Sequence, residues 1–327
     1  MSKLFKIFIT LFITFLILSF AGWHTFNYYW RTKSTVSTFS NFTEPDSLSF
    51  SEIIWREGNF GNIKTEIGSF FVKVELNGVN DSFYMQFDTG APQTVLYGRK
   101  LNKLKEKYPN LSPATNDSGK EYFKDAQLKI GDIILETDYL RILPEMGSAE
   151  IDSAFNIIGT IGFDAILDRK LILDFRNDKI TITNQDVKDL NYSFDLVNGV
   201  SLKRFPILLP AQVDDENVNL FYDTGSSMFS LILPPNKLSN MDNSQTIDTL
   251  CCISAWGKSL EFYRRKLNSD IKIGKIIENQ PDIYAASSMN PYSYFPNWVM
   301  MGVTGNQMFL NKVLLIDTKN NIFGISD

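Results

Sequence analysis

The tripeptide Asp-Thr-Gly occurs at Asp88-Thr89-Gly90 and again at Asp223-Thr224-Gly225, each time directly after an apolar run that ends in an aromatic residue, Phe87 or Tyr222. A single copy reads as an ordinary surface turn, since Asp and Gly both favour turns. Two copies in equivalent settings offer more. If the turns meet about an approximate twofold axis, the carboxylates share one site, where both cannot ionise cheaply and a proton is held between them. Such a pair uses one member as base on a held water and the other as acid, and hydrolyses an amide without metal, imidazole or covalent intermediate. Asp88 and Asp223 are the candidate catalytic residues.

Other chemistries lack parts. Among 327 residues there are one histidine and two cysteines. His24 lies beside the N-terminal apolar segment, the wrong region to serve a nucleophile in a folded domain, which disfavours Ser or Cys sites built on imidazole. Cys251 and Cys252 are adjacent and bond to each other only with strain, so they read as free thiols, and with one histidine they do not make a zinc site. No cofactor and no metal are expected. A net charge of -5, from 32 basic and 37 acidic residues, gives no field that would hold a phosphate backbone, so nucleic acid is not an expected partner.

The elements that must position the two aspartates are themselves duplicated. Leu128-Lys129-Ile130-Gly131-Asp132-Ile133-Ile134 recurs 143 residues later as Ile271-Lys272-Ile273-Gly274-Lys275-Ile276-Ile277. The same offset carries Ile157-Ile158-Gly159 onto Met300-Met301-Gly302, Gly162 onto Gly305 and Asp174 onto Asp317. The Asp-Thr-Gly pair is offset by 135, so the second copy holds eight extra residues between this motif and the next. Short apolar runs between turn residues predict strands over 70–76, 83–87, 126–130, 171–175 and 179–183, then 205–209, 220–222, 270–273, 313–317 and 322–325. Asn77-Gly78 and Asn177-Asp178 suit hairpin turns. Short helical stretches are expected around 98–108, after Gly162 and after Gly305. This is a mostly-β, internally duplicated chain, with an N-terminal lobe over 58–194, a C-terminal lobe over 195–327 and a crossing segment over 184–198.

Residues 1–23 read as a membrane anchor or signal segment. Ile7 to Trp23 carries no charge and follows Lys3 and Lys6; its 17 residues approach the length that spans a bilayer, while Ser19-Phe20-Ala21 would suit a signal peptidase. Retention as an anchor is favoured, because Trp23, Phe26, Tyr28, Tyr29 and Trp30 form the aromatic cluster of a membrane interface. The expectation is a single-pass protein with its lobes outside the cytoplasm, or a secreted or periplasmic one after cleavage. Residues 24–57, polar and rich in Ser and Thr, read as a stalk or a leading edge strand.

From Gly68 onward the sequence resembles the pepsin-like and retropepsin-like aspartic peptidases. The resemblance rests on Phe87-Asp88-Thr89-Gly90-Ala91, Tyr222-Asp223-Thr224-Gly225-Ser226-Ser227, the glycines Gly159 and Gly302, and the closing run from Leu315 to Gly324. It implies a bilobal β fold with a peptide or protein substrate extended in the cleft, Asp88 and Asp223 as catalytic residues, Thr89 and Thr224 bracing the two turns, and Gly90 and Gly225 permitting close backbone approach. It also implies that the residue after Asp-Thr-Gly offers a hydroxyl to the aspartate. Ser226 can do this for Asp223 and Ala91 cannot for Asp88, so Asp88 is expected to hold the shared proton, with activity reaching toward mildly acidic or neutral pH. In pepsin-like enzymes a tyrosine precedes the tip of a hairpin flap over the cleft. Here Ser112-Pro113-Ala114-Thr115 precedes the expected tip at Asn116-Asp117-Ser118-Gly119, and Tyr122, which follows it, reads as a packed strand residue.

Tyr292, Tyr294, Phe295 and Trp298 surround Pro291 and Pro296 in one loop and read as packing against the second lobe ahead of lining a pocket. Lys103 to Lys107 reads as a solvated helix face. Two functions stand: an aspartic endopeptidase acting on extracytoplasmic protein or peptide, and a catalytically inactive peptide-binding protein of the same fold.

Overall fold

Ser82-Phe83-Tyr84-Met85-Gln86-Phe87 alternates strictly, with Phe83, Met85 and Phe87 buried and the residues between them half-buried, so its period of two commits it to a strand with one face on a core. The computed structural model describes residues 38–60, 63–111, 113–151, 154–187, 192–238, 248–255, 258–286 and 295–326, together with Phe5, Phe12, Ile13, Thr14, Ser19 and Gly22.

In chain order the strands begin with β1 (Asn41–Thr43), β2 (Ser51–Glu52), β3 (Ile54–Phe60), β4 (Ile63–Leu76), β5 (Ser82–Phe87) and β6 (Val95–Tyr97), followed by helix α1 (Gly98–Leu104). Next come β7 (Ala114–Thr115), β8 (Glu121–Ile130), β9 (Ile133–Leu143), β10 (Ile157–Ile161), β11 (Lys170–Asp174) and β12 (Lys179–Thr183). The second half runs β13 (Asp195–Val197), β14 (Leu208–Val213), β15 (Glu216–Tyr222), β16 (Leu231–Leu233), helix α2 (Pro235–Leu238), β17 (Asp248–Ala255) and β18 (Lys258–Lys266). It closes with β19 (Ile271–Ile273), β20 (Ile276–Glu278), β21 (Asp282–Ala286), helix α3 (Asn297–Met300), β22 (Gly302–Thr304), β23 (Val313–Asp317) and β24 (Ile322–Ser326).

The described chain is mostly β and forms three sheets. A nine-stranded sheet belongs to the first half, in the order β1-β9-β6-β10-β5-β4-β8-β7 with β3 on β4. Another nine-stranded sheet belongs to the second half, in the order β17-β18-β21-β16-β22-β15-β14-β19-β20. Both halves contribute to the third, six-stranded sheet, ordered β13-β24-β23-β11-β12-β2. At its centre β11 lies antiparallel to β23, with Lys170 opposite Asp317, Ile172 opposite Leu315 and Asp174 opposite Val313. That register is symmetric under the 143-residue offset. Each strand also ends alike: Asp174 accepts from the Asn177 side chain and Asp317 from the Asn320 side chain, closing equivalent turns.

Several expectations are corrected. Ser37–Asp327 forms one compact unit by its contacts, and the six-stranded sheet draws strands from both halves. The stretch read as a stalk or a leading edge strand is, from Asn41, the latter: β1 pairs with β9 and β2 with β12, each at a sheet edge, while Phe39 and Ile53 are buried. Its short, polar strands hide this, since an edge strand has only one partner to satisfy. Asp195–Val197, placed in the crossing segment, is a strand paired with β24. The strand expected over 205–209 begins only at Leu208, because Pro206 lacks the N–H a ladder needs. The runs after Gly162 and Gly305 are single 3-10 turns, Phe163–Ile166 and Gln307–Phe309.

Met1–Val36 forms a separate unit, of which the six described residues are helical. Among the described residues no helix is long and apolar enough to cross a membrane. His24 and the aromatic cluster Trp23, Phe26, Tyr28, Tyr29 and Trp30 lie outside the described residues.

Candidate functional site

β5 and β15 deliver the two Asp-Thr-Gly turns by the same construction. β5 runs parallel to β10, and where it stops the Asp88 N–H donates to the Ile161 carbonyl at 2.9 Å. β15 runs parallel to β22, and the Asp223 N–H donates to the Thr304 carbonyl at 2.9 Å. Each turn leaves the sheet at one place, because its next strand, β6 or β16, comes back antiparallel to the same partner.

The threonines lock the turns together. The Thr89 N–H donates to Thr224 Oγ1 at 2.9 Å, and the Thr224 N–H to Thr89 Oγ1 at 3.0 Å. Each hydroxyl in turn donates to the main chain ahead of the other motif, Thr89 to the Tyr222 carbonyl at 3.1 Å and Thr224 to the Phe87 carbonyl at 2.9 Å. Both side chains are fully buried, so these four bonds are shielded from competing water.

The carboxylates sit on each other's glycines. A β-carbon on Gly90 would lie 2.4 Å from Asp223 Cγ, and one on Gly225 would lie 2.7 Å from Asp88 Cγ. Any side chain there would displace the opposite aspartate. Each aspartate also accepts from its own glycine, Asp88 Oδ1 from the Gly90 N–H and Asp223 Oδ1 from the Gly225 N–H, both at 2.8 Å. The symmetry ends at the next residue. Ser226 Oγ donates to Asp223 Oδ2 at 2.8 Å, whereas Ala91, fully buried, has no side-chain donor for Asp88 and offers it only the backbone N–H. Burial first, and then the charge of Asp223 and a side-chain hydrogen bond to it, push the Asp88 carboxyl well above the usual carboxylate range.

Groups that sequence reasoning missed hold this frame. In the second half, Asn306 Nδ2 donates to the Thr224 carbonyl and to Ser227 Oγ, and its Oδ1 accepts from the Tyr222 hydroxyl at 2.8 Å. In the first, the buried Asp164 Oδ1 accepts from both the N–H and the hydroxyl of Thr94, and that hydroxyl accepts from the Gly162 N–H. Asp164 lies two residues after Gly162 and Asn306 one residue after Gly305, so the 143-residue offset does not superpose them and the repeat alone does not point to either.

The aspartates open into a cavity of about 140 Å³ whose walls include Gln86, Tyr97, Thr160, Ile232, Ile253 and Phe262. Tyr97, at the end of β6, shares a hydrogen bond with the Thr160 hydroxyl on β10. Burial, and the nearby charge of Asp88, raise its phenol above the ordinary value. Tyr97 thus lines the cavity from β6. Tyr122 instead stacks on Tyr139, with ring centroids 4.5 Å apart, as expected of a packed strand residue. The tip at Asn116–Gly119 is a turn in which Asn116 Oδ1 accepts from the N–H groups of Ser118 and Lys120.

Other singled-out residues stand apart from the cavity. Trp298 is 71% exposed and Phe295 packs on the core, while Tyr292 and Tyr294 lie outside the described residues. Cys251 and Cys252 are on β17, with side chains outside the described residues. Lys103 pairs with Glu106 on the exposed side of the segment that includes α1. Among the described residues no three His, Cys, Asp or Glu side chains converge as metal ligands.

No family model matches the chain, and no curated protein matches it.

Proposed function

We propose that this chain is an aspartic endopeptidase of the bilobal, pepsin-like kind, cleaving peptide bonds with a water held between Asp88 and Asp223. One observation carries the reading: two identical turns bonded to each other through Thr89 and Thr224, with each carboxylate resting on the other's glycine. A binding protein has no need of two carboxylates pressed together in a buried place. Hydrolysis does, because one must accept a proton as the other gives one.

The roles follow from the inequality of the pair. Asp223, both of whose oxygens accept hydrogen bonds, is the base; Asp88, whose burial favours the protonated form, is the acid. Water attacks the scissile carbonyl carbon, losing a proton to Asp223 while Asp88 protonates the carbonyl oxygen. Collapse of the diol breaks the C–N bond. The proton on Asp223 passes to the leaving nitrogen, and a diol hydroxyl returns one to Asp88, restoring the starting state. The substrate would be extracytoplasmic protein or peptide, with the segment before Trp23 acting as anchor or export signal. The experiment is turnover of a mixed peptide pool by wild type, Asp88→Asn and Asp223→Asn. Each replacement is expected to lower turnover by about 10³-fold or more without unfolding the protein, and chelators are expected to change nothing. Retained turnover in either variant overturns the proposal.

A further inference from the structure

The cavity over the aspartates is chemically two-faced. Its first-half wall carries Gln86 from β5, Tyr97 from β6 and Thr160 from β10, all with polar groups, and one apolar residue, Met146. Beyond the turn residues Asp223, Gly225 and Ser226, whose hydroxyl is already given to Asp223, its second-half wall is Phe229, Ile232, Ile253 and Phe262, all apolar. Phe229 and Phe262 stack with centroids 5.2 Å apart and an interplanar angle of 15°, giving that wall a flat aromatic base. On the opposite side the Gln86 amide has no hydrogen-bond partner among the described residues.

The duplication explains the inequality. Pairing of Thr160 with Val95 and of Val303 with Ile232 makes Val95 and Ile232 equivalent, so only part of the second half's extra length precedes β16. The rest lies before β19, and it is spent on the β17–β18 hairpin. There β17 has 8 residues, whereas β7, the strand leading into the corresponding first-half hairpin, has 2. Ile253 on β17 and Phe262 on β18 thus reach the cavity, while among the described residues of β7 and β8 none lines it.

We propose that the substrate's scissile bond is flanked by one apolar ring or branched side chain, seated on the second-half wall, and by one hydrogen-bonding side chain facing Gln86, Tyr97 and Thr160. This deepens the peptidase reading and rests on it. A dry apolar cavity of about 150 Å³ admits one benzene ring, and the cavity here, which opens to solvent, has a comparable volume of about 140 Å³. An apolar side chain set against Gln86 would strand that amide without water, and sites built to hydrogen-bond reject partners that cannot.

The test uses matched peptides differing only in the two residues around the bond: Phe with Gln, Gln with Phe, Phe with Phe, and Gln with Gln. Cleavage by wild type is read as kcat/KM, and binding of the same uncleaved peptides is read with the Asp88→Asn protein. One mixed order is expected to exceed the like pairs at least tenfold. Ile253→Thr should erode the preference for Phe, and Thr160→Val the preference for Gln, with circular dichroism confirming folded variants. Equal rates for all four peptides, or a best rate for Phe with Phe, overturn the inference while leaving hydrolysis intact. Mixed-order preference in binding with no cleavage by wild type sustains the two-faced site and overturns the peptidase. Neither binding nor cleavage of any peptide overturns both.

Discussion

At the scale of single residues, the two threonines and the two aspartates make different contributions. Thr89→Ala would remove an acceptor from the Thr224 N–H and a donor from the Tyr222 carbonyl, both in a fully buried place. Orphaned buried groups cost about 1–3 kcal/mol each, so urea unfolding should show a loss of about 2–4 kcal/mol, together with lower kcat. Thr89→Ser, which keeps the hydroxyl, should recover most of both. Asp88 behaves oppositely. Its folded pKa is raised by burial, so between the unfolded carboxyl value, about 3.9, and the raised folded value the native state binds more protons than the unfolded one. Stability therefore falls as pH rises through that window, and the contribution is most favourable below it. Asp88→Asn cannot titrate there. Its thermal midpoint relative to wild type should rise from pH 4 to pH 7, and an unchanged difference across that range would remove the assignment of the buried proton to Asp88.

At the scale of elements, the glycines of the duplicated hydrophobic-hydrophobic-Gly runs mark where strands approach too closely for a side chain. A β-carbon on Gly302 would stand 2.3 Å from the Ile232 carbonyl oxygen, and one on Gly159 would stand 2.2 Å from the Val95 carbonyl oxygen. Backbone cannot yield as a side chain does. Gly302→Ala should cost about 2 kcal/mol or more by overpacking and depress kcat, because β16 and β22 position the Asp223 turn. Gly119→Ala is the control: its φ of +75° strains the turn, yet nothing lies within 4 Å, so stability should fall by about 1 kcal/mol with activity kept. These glycines, the Asp-Thr-Gly turns and strands such as 83–87, 179–183 and 313–317 were legible because repetition or strict alternation announced them. Strand β9 alternates in burial only from Ile133 to Thr137 and changes phase before Leu140, which weakened its signal; β3, with Arg56, Glu57 and Gly58 in succession, gave none. Tyr97 was missed for another reason. Its importance comes from Thr160 and Asp88, 63 residues ahead and 9 behind, and only the β6–β10 pairing brings those three together.

For the whole molecule, the shared sheet and the shared site make the halves one cooperative object. β11 and β23 pair through five residues each, and Ile172 with Val313 and Leu315 forms a separate apolar cluster on that sheet. Separating the halves would bare both strand edges and leave Thr89 and Thr224 with four broken buried bonds at once. No intermediate with one half folded escapes those costs, so a single transition is expected for residues 37–327 despite their duplicated origin. Two reporters test it. Trp55 packs on Phe70 and Phe175 and donates to Asp178, so its fluorescence follows the first half. Amide exchange of Leu314 and Ile316, which are fully buried, follows the second. The two curves should coincide along a urea series. If Trp55 changed at a lower urea concentration than the β23 amides lost protection, the halves would be independently stable and the six-stranded sheet only a contact between them. In that event Thr89→Ala would act on activity alone, leaving each half's own midpoint in place. Coincident curves, shifted together by Thr89→Ala, would instead show that the bracing of the aspartates and the integrity of the shared sheet are one property of the fold.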